Sequence, residues 1–289
     1  MSEPQSIQWF PGHMARAKRQ IEKSLKLVDV TAELVDARIP VSSRNPTLNG
    51  IIRGRPRVIL LNKSDMADPE ETSRWIRFYR EEGISAAAVD SRSGKNLNAF
   101  FPMVRSVLKD RIASWDAKGM TGHPIRVMVV GVPNVGKSSL INRLSHGGRA
   151  QVEDRPGVTR SNQWFPIGNG FELLDTPGVL WPKFNDPLVG ERLAFTGAVK
   201  DDVLDAELLV GRLLEVLRGS YPEKLKERYK LQEVDLSGKK GYELLELIGR
   251  KRGMLISGGE TDTERAAVMV LDEFRGGRIG RITLERAGG

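Results

Sequence analysis

Gly131-Val132-Pro133-Asn134-Val135-Gly136-Lys137-Ser138 follows the run Arg126-Val127-Met128-Val129-Val130 and precedes a helical pattern beginning Ser139-Leu140-Ile141. A strand, a G-x-x-x-x-G-K-S loop and a helix in that order make a P-loop. The chemistry requires these residue types at this spacing. Glycines let the loop wrap with the amides from Asn134 to Ser139 turned inward, and the helix N-terminus adds positive potential. Lys137 is placed to reach the terminal phosphates, and Ser138 to offer an oxygen to Mg²⁺. The stretch is read as a phosphate-binding site.

A second short motif selects the base. Val58-Ile59-Leu60-Leu61 reads as a buried strand delivering Asn62-Lys63-Ser64-Asp65. N-K-x-D after such a strand is a guanine-reading loop. The Asp65 carboxylate accepts two hydrogen bonds from the ring N–H and exocyclic amine of guanine, which adenine does not supply in that geometry. The loop Asp90-Ser91-Arg92-Ser93-Gly94, after the strand Ile84 to Val89, occupies the place of a second base-contacting loop, with Ser91 and Arg92 as its candidates. Downstream of the P-loop, Asp154 to Arg160 is a polar stretch where a switch carrying a Mg²⁺-ligating Thr159 is expected. A hairpin, Trp164 to Ile167 and Phe171 to Leu174, then ends in Asp175-Thr176-Pro177-Gly178. Asp175 is expected to hold Mg²⁺ through water, and the Gly178 amide to contact the γ-phosphate.

The order of these motifs is unusual. In an ordinary small GTPase N-K-x-D follows the P-loop and D-x-x-G, whereas here it precedes both. Strand positions in space make the site, so joining the old termini and cutting elsewhere preserves it. The expected fold is therefore α/β, a circularly permuted P-loop GTPase domain with a mostly parallel sheet and helices on both faces, cut just after D-x-x-G. The switch from Asp175 to Trp181 then runs directly into the carboxy-terminal part of the chain. The amino-terminal segment leads into the strand that would ordinarily come after that switch, which would bring His13 toward the γ-phosphate.

Bulk properties narrow the class. The 289 residues suffice for two domains. The absence of cysteine excludes a disulfide framework and thiolate zinc sites. No leader-like beginning and no stretch of about 18 apolar residues is present, so a cytoplasmic protein without a membrane partner is expected. A net charge of +8 favours a polyanionic partner. A helix is predicted from about Met14 to Val28, with Met14, Ala17, Ile21, Leu25 and Val28 as an apolar stripe and Arg16, Arg19, Lys23 and Lys26 opposite. Further helices are predicted over Glu70–Glu82 and about Asn96–Trp115. From Asp186 the pattern becomes helical without strands: Ala206–Leu217, Tyr242–Ile248 and Thr261–Phe274, the last capped by Thr261 or Asp262. Residues 1–185 are expected to form the permuted domain and 186–289 a small helical one.

Trp9-Phe10-Pro11-Gly12-His13-Met14, Asp36-Ala37-Arg38-Ile39-Pro40, Asn62 to Asp65, Gly131 to Ser138, Pro156-Gly157-Val158-Thr159 and Asp175 to Pro182, in permuted order, resemble the RbgA/YlqF family of bacterial GTPases of large ribosomal subunit assembly. The resemblance covers nearly the whole chain. It implies weak GTP hydrolysis stimulated by the ribosomal particle, a carboxy-terminal domain contacting large-subunit rRNA, and GTP and GDP as ligands, with no role for DNA. Ras-like enzymes place a water-orienting glutamine just after D-x-x-G; here that position is Val179, so another group must act. The resemblance assigns that role to His13, and matches Asn134 to a P-loop asparagine that ligates K⁺ in place of an arginine finger. A loop-shaping hydrogen bond is the other role open to Asn134. Lys137 and Gly178 complete the expected catalytic set. Two further functions stay open: a GTP-regulated rRNA-binding scaffold whose hydrolysis is incidental, and a permuted GTPase acting on another RNA particle.

Overall fold

The computed structural model describes residues 11–145, 164–176, 178–181, 184, 186–199 and 205–288, with the side chains of residues 11–17 excepted. The chain divides into two compact units, one within Gln8–Lys183 that also takes Glu285–Gly289, the other carried by Phe184–Leu284.

The first unit is built on a six-stranded sheet of β1 (Val30–Asp36), β2 (Arg57–Asn62), β3 (Ser85–Ala88), β4 (Ile125–Val130), β5 (Trp164–Gly168) and β6 (Phe171–Leu174), in the spatial order β3-β2-β1-β4-β6-β5. Every neighbouring pair is parallel except the β5–β6 hairpin. Its turn, Gly168-Asn169-Gly170, has all three residues at positive φ, a conformation that glycine and asparagine adopt most readily. β1 is buried along its whole length, as a central parallel strand covered on both faces must be. Registered neighbours Glu33, Ile59 and Val130 share one face. Against that face lie Ile21 of α1 (Pro11–Ser24) and Leu25 just after it, Leu48 and Ile52 of α2 (Pro46–Ile52), and Trp75 and Tyr79 of α3 (Pro69–Glu81). The opposite face, with Leu34, Leu60 and Val129, is equally buried, and α4 (Phe100–Val107) lies against β2 there. Glu33 tolerates its buried place because Arg44 meets it through two nitrogens, at 3.0 and 2.9 Å.

The helix expected to about Val28 ends at Ser24, so of the foreseen stripe Ile21 is buried on α1 while Leu25 and Val28 are buried in the segment after it, with Lys23 and Lys26 exposed. The single helix expected over 96–115 is instead a 3₁₀ turn (Leu97–Ala99), α4 and α5 (Lys109–Ala117). The break at Leu108 follows from burial: α4 sinks Phe100 and Val104 into the core, whereas α5 has no buried residue and so nothing to hold it on the same axis. α6 (Lys137–Leu144) completes the unit's described helices. Short α2 escaped the periodicity search, although Asn45-Pro46 is a cap-and-first-turn signature: Asn45 accepts from Thr47 and Leu48 N–H.

The helical unit contains α7 (Pro187–Phe195), α8 (Ala206–Ser220), α9 (Pro222–Tyr229), α10 (Glu233–Leu236), α11 (Gly241–Lys251) and α12 (Thr263–Arg275). Asp262, rather than Thr261, caps α12. α8 and α11 approach so closely that a Cβ on Gly241 would sit 2.0 Å from the Gly211 oxygen, which only glycine permits. The last five residues leave this unit and belong with the sheet. No helix among the described residues is long and apolar enough to cross a membrane.

Candidate functional site

The loops after β1, β2, β3, β4 and β6 all leave the carboxyl edge of the sheet, where ligands bind in parallel α/β folds. The permuted sequence thus brings its separated motifs to one rim. Asn62, closing β2, is the bridge: its Nδ2 donates to the Val135 oxygen of the P-loop at 2.7 Å, and its Oδ1 accepts from Ser91 N–H at 2.9 Å. One buried amide therefore fixes the loops after β2 and β3 against the loop after β4. Gly136, at φ +103°, passes so near that a Cβ there would lie 2.4 Å from Asn62 Nδ2. Ser91 is 3% exposed, and among the described residues its Oγ has no hydrogen-bond partner. Asp65 and Arg92 are exposed on the same rim.

The loop around Ser91 is stiffened from within. Burial works against the charge of Asp90, but hydrogen bonds from Ser93 Oγ and the Arg92 and Ser93 backbone outweigh it and hold the carboxyl below its usual range. Lys63 adopts φ +58° and turns its ammonium to Asp36 Oδ2 at 3.1 Å. Asp36 also receives Arg38 Nε at 2.9 Å and Nη2 at 2.7 Å, and Arg38 is only 1% exposed. Burial opposes the Asp36 charge, yet Arg38 and Lys63 hold its carboxyl far below the normal value. The Asp36-Ala37-Arg38 motif is thus a buried ionic support for the base loop. Charged residues ending an apolar strand are the sequence signal for it, although the strand pattern alone gives them no role.

On the phosphate side, Lys137 folds back so that Nζ donates to the carbonyl oxygens of Gly131 (3.2 Å) and Val132 (2.9 Å). Its burial lowers its pKa to about 8, with nearby Asp175 pulling the other way. Ser138 and Ser139 are half-buried at the start of α6. Asn134 is exposed at φ +56°, a left-handed conformation that asparagine tolerates. A Cβ on Gly178 would lie 3.0 Å from both Lys137 Nζ and Pro133 N, so the D-x-x-G glycine sits directly on the P-loop. Thr176 Oγ1 donates to Val129 O at 2.6 Å and pins the same segment to β4. Ser138 offers a hydroxyl, and Asp175, whose charge acts on Lys137, a carboxylate; both are hard oxygen donors of the kind that suits Mg²⁺.

Val179 is 6% exposed and belongs to the core cluster with Ile21, Leu25, Leu48, Val130 and Leu174. Its N–H donates to Gly131 O at 3.3 Å, and its carbonyl accepts from Asn45 Nδ2 at 2.9 Å. The position that carries glutamine in Ras-like enzymes therefore points into the protein here. Asn45 was not foreseen, since its partner lies 134 residues away. Thr159 and the His13 side chain fall outside the described residues.

Known proteins agree with this geometry. A family model for the 50S ribosome-binding GTPase matches residues 126–244. Proteins named ribosome biogenesis GTPase A are 48% identical in Priestia megaterium, covering 97% of this chain and 96% of theirs, and 47% identical in Bacillus cereus, covering 96% and 93%. The chain belongs to the ribosome biogenesis GTPase A family. The crystal structure of GNP-bound YlqF from T. maritima superposes with a TM-score of 0.66 at 29% identity, covering 94% of this chain and 99% of that one. Membership in ribosome biogenesis GTPase A makes the protein a GTP hydrolase of ribosome biogenesis with a permuted P-loop fold, which binds GTP and GDP.

Proposed function

We propose that this GTPase, acting in the cytoplasm, docks in its GTP state on a late precursor of the large ribosomal subunit, and that hydrolysis couples maturation to its release. The observation that carries this is the near-full-length identity to ribosome biogenesis GTPase A, which spans the helical unit as well as the sheet. The chain's +8 charge supports contact with a polyanion, but it lies in residues 1–185, with 27 Lys and Arg against 18 Asp and Glu, whereas residues 186–289 carry 18 against 19; the assignment of the rRNA contact to residues 186–289 rests on the family likeness alone.

At the site, Asp65 selects guanine while Asn62, Lys63, Ser91 and Arg92 shape its surroundings. Amides from Asn134 to Ser139 and the Lys137 ammonium receive the phosphates, and the Gly178 amide reads the γ-phosphate. Ser138, Asp175 and Thr159 would hold Mg²⁺, which supplies charge neutralisation on the phosphates when bound. His13 positions the attacking water in place of a glutamine, and Asn134 would hold K⁺, which would supply the positive charge of an arginine finger. A core-buried Val179 orients no water, which favours slow hydrolysis until the particle engages.

Co-sedimentation with purified subunits tests the proposal. GTP-dependent pelleting with the large subunit supports it. Pelleting only with the small subunit assigns another particle, and hydrolysis unchanged by either subunit points to a scaffold instead.

His13→Ala is expected to lower particle-stimulated turnover by about 10²-fold or more, the range of a positioned acid–base group, with GTP affinity nearly intact. Unchanged stimulated kcat removes His13 from the mechanism. Exchanging K⁺ for Na⁺ should slow hydrolysis in the wild type, and equal rates in the two salts would dismiss the cation at Asn134. Because free Lys137 titrates near 8, its bound ammonium must regain a proton above that pH. Nucleotide affinity should therefore be level below pH 8 and fall above it, with proton uptake on binding visible by calorimetry in buffers of different ionisation enthalpy.

A further inference from the structure

Glu285 is 4% exposed and lies in the short tail that belongs with the sheet unit. Its carboxylate accepts from the backbone N–H of Val41, from that of Ser42 at 3.1 and 3.2 Å, and from Ser42 Oγ. Its own carbonyl accepts from Trp75 Nε1 at 3.0 Å, and the next residue, Arg286, meets Glu71 at 2.8 Å. A buried carboxylate held by two amides and a hydroxyl is a charge-assisted anchor for the loop it grips.

That loop leads to the switch. It follows β1, where Ser43 Oγ accepts from Asp36 N–H at 3.0 Å and donates to Ile39 O at 2.7 Å. It ends at Asn45, 2% exposed, whose Oδ1 caps α2 and whose Nδ2 holds the Val179 carbonyl. Val179 directly follows Gly178, the residue set against Lys137 and Pro133. From carboxylate to glycine the chain of contacts is Glu285, Ser42, Asn45, Val179, Gly178, and each link is a hydrogen bond or a run of at most three peptide units.

We infer that Glu285 is a positioning residue for GTP hydrolysis: by clamping the Val41–Asn45 loop, its carboxylate fixes the Asn45 amide and through it the main chain beside Gly178. The inference rests on the assignment of the Gly178 amide to the γ-phosphate. GDP lacks that phosphate, so loss of the clamp should harm GTP-dependent steps and spare GDP binding.

Glu285→Ala, Glu285→Gln and Asn45→Asp in the full chain test this, with hydrogen exchange at the wild-type Gly178 amide as a separate check of the γ-phosphate assignment. Asn45→Asp keeps an acceptor for the α2 cap, where aspartate serves as well as asparagine, but removes the donor to Val179. Single-turnover GTP hydrolysis, and the Kd of a non-hydrolysable GTP analogue against that of GDP, are measured for each. Loss of one positioning contact in the transition state should slow hydrolysis about tenfold in Glu285→Ala and Asn45→Asp, with the GTP analogue weakened and GDP binding within about twofold of wild type. Glu285→Gln retains one acceptor oxygen and should fall between, and it replaces the alanine variant if that one does not fold. Hydrolysis at the wild-type rate, or equal losses for GDP and the GTP analogue, overturns the role of Glu285. If the GTP analogue and GDP protect the Gly178 amide of the wild type from hydrogen exchange equally, the γ-phosphate assignment fails instead.

Discussion

Asp65→Asn is expected to lower GTP affinity by roughly 10–10²-fold, because the asparagine oxygen still accepts one bond and the other, to a charged group at about 1.5–3 kcal/mol, is lost. The same variant should gain affinity for xanthosine triphosphate. Xanthine carries an oxygen where guanine carries its amine, and an asparagine amide donates to that oxygen where a carboxylate repels it. The exchange is local because Asp65 is exposed on the rim while Asn62 carries the loop's internal bonds to Val135 and Ser91. Folding should therefore be untouched. Displacement of a fluorescent GDP by GTP and by xanthosine triphosphate, with a melting curve alongside, provides the measurement. If both nucleotides bind the variant as they bind the wild type, Asp65 is not the base-selecting residue.

Asp36→Ala should be the most damaging single change to stability in the sheet unit. It leaves the Arg38 guanidinium, 1% exposed, in the interior without the carboxylate that meets it through two nitrogens, and it releases Lys63 as well. Breaking a buried ion pair from one side costs about 3–5 kcal/mol, read from the urea midpoint. The nucleotide should also bind more weakly because Lys63 is part of the N-K-x-D loop. The pH dependence has a definite sign. Asp36 has a folded pKa far below its ordinary 3.8, so its contribution is complete above about pH 4 and declines only as acid carries the solution downward toward the folded value. Asp36→Ala should accordingly lower stability by a constant amount from pH 6 to 9. A urea midpoint unchanged from wild type would show that the pair contributes nothing net.

Much of the site was legible because its chemistry is encoded in short contiguous runs. Gly131 to Ser138, Asn62 to Asp65 and Asp175 to Gly178 each carry loop geometry and ligand chemistry within a few residues, and their order alone implied the permutation. The strands that deliver them, from Val30 to Leu174, were readable from apolar runs. What escaped depends on distance along the chain. Asn45 meets Val179 across 134 residues and Glu285 meets Ser42 across 243, and no periodicity encodes either. Val179 was legible as a missing glutamine, but its place in the core with Ile21 and Leu25 depended on how α1 packs. The break at Leu108 escaped for a related reason: α4 and α5 carry continuous helical propensity, and only burial separates them.

The spatial order β3-β2-β1-β4-β6-β5 also sets what a ribosome must release before the sheet can close. β1, β2 and β3 leave first and can pair with one another, but the other edge of β1 waits for β4, whose sequence begins only at Ile125. At about 5–20 residues per second, the 63 positions from the end of β2 at Asn62 to the start of β4 at Ile125 (125 − 62) take roughly 3–13 s to make. Throughout that interval the emerging half-sheet offers an open, apolar strand edge, the kind of surface on which nascent chains associate with one another. The central strand β1 is thus paired on one side only until β4 has been made.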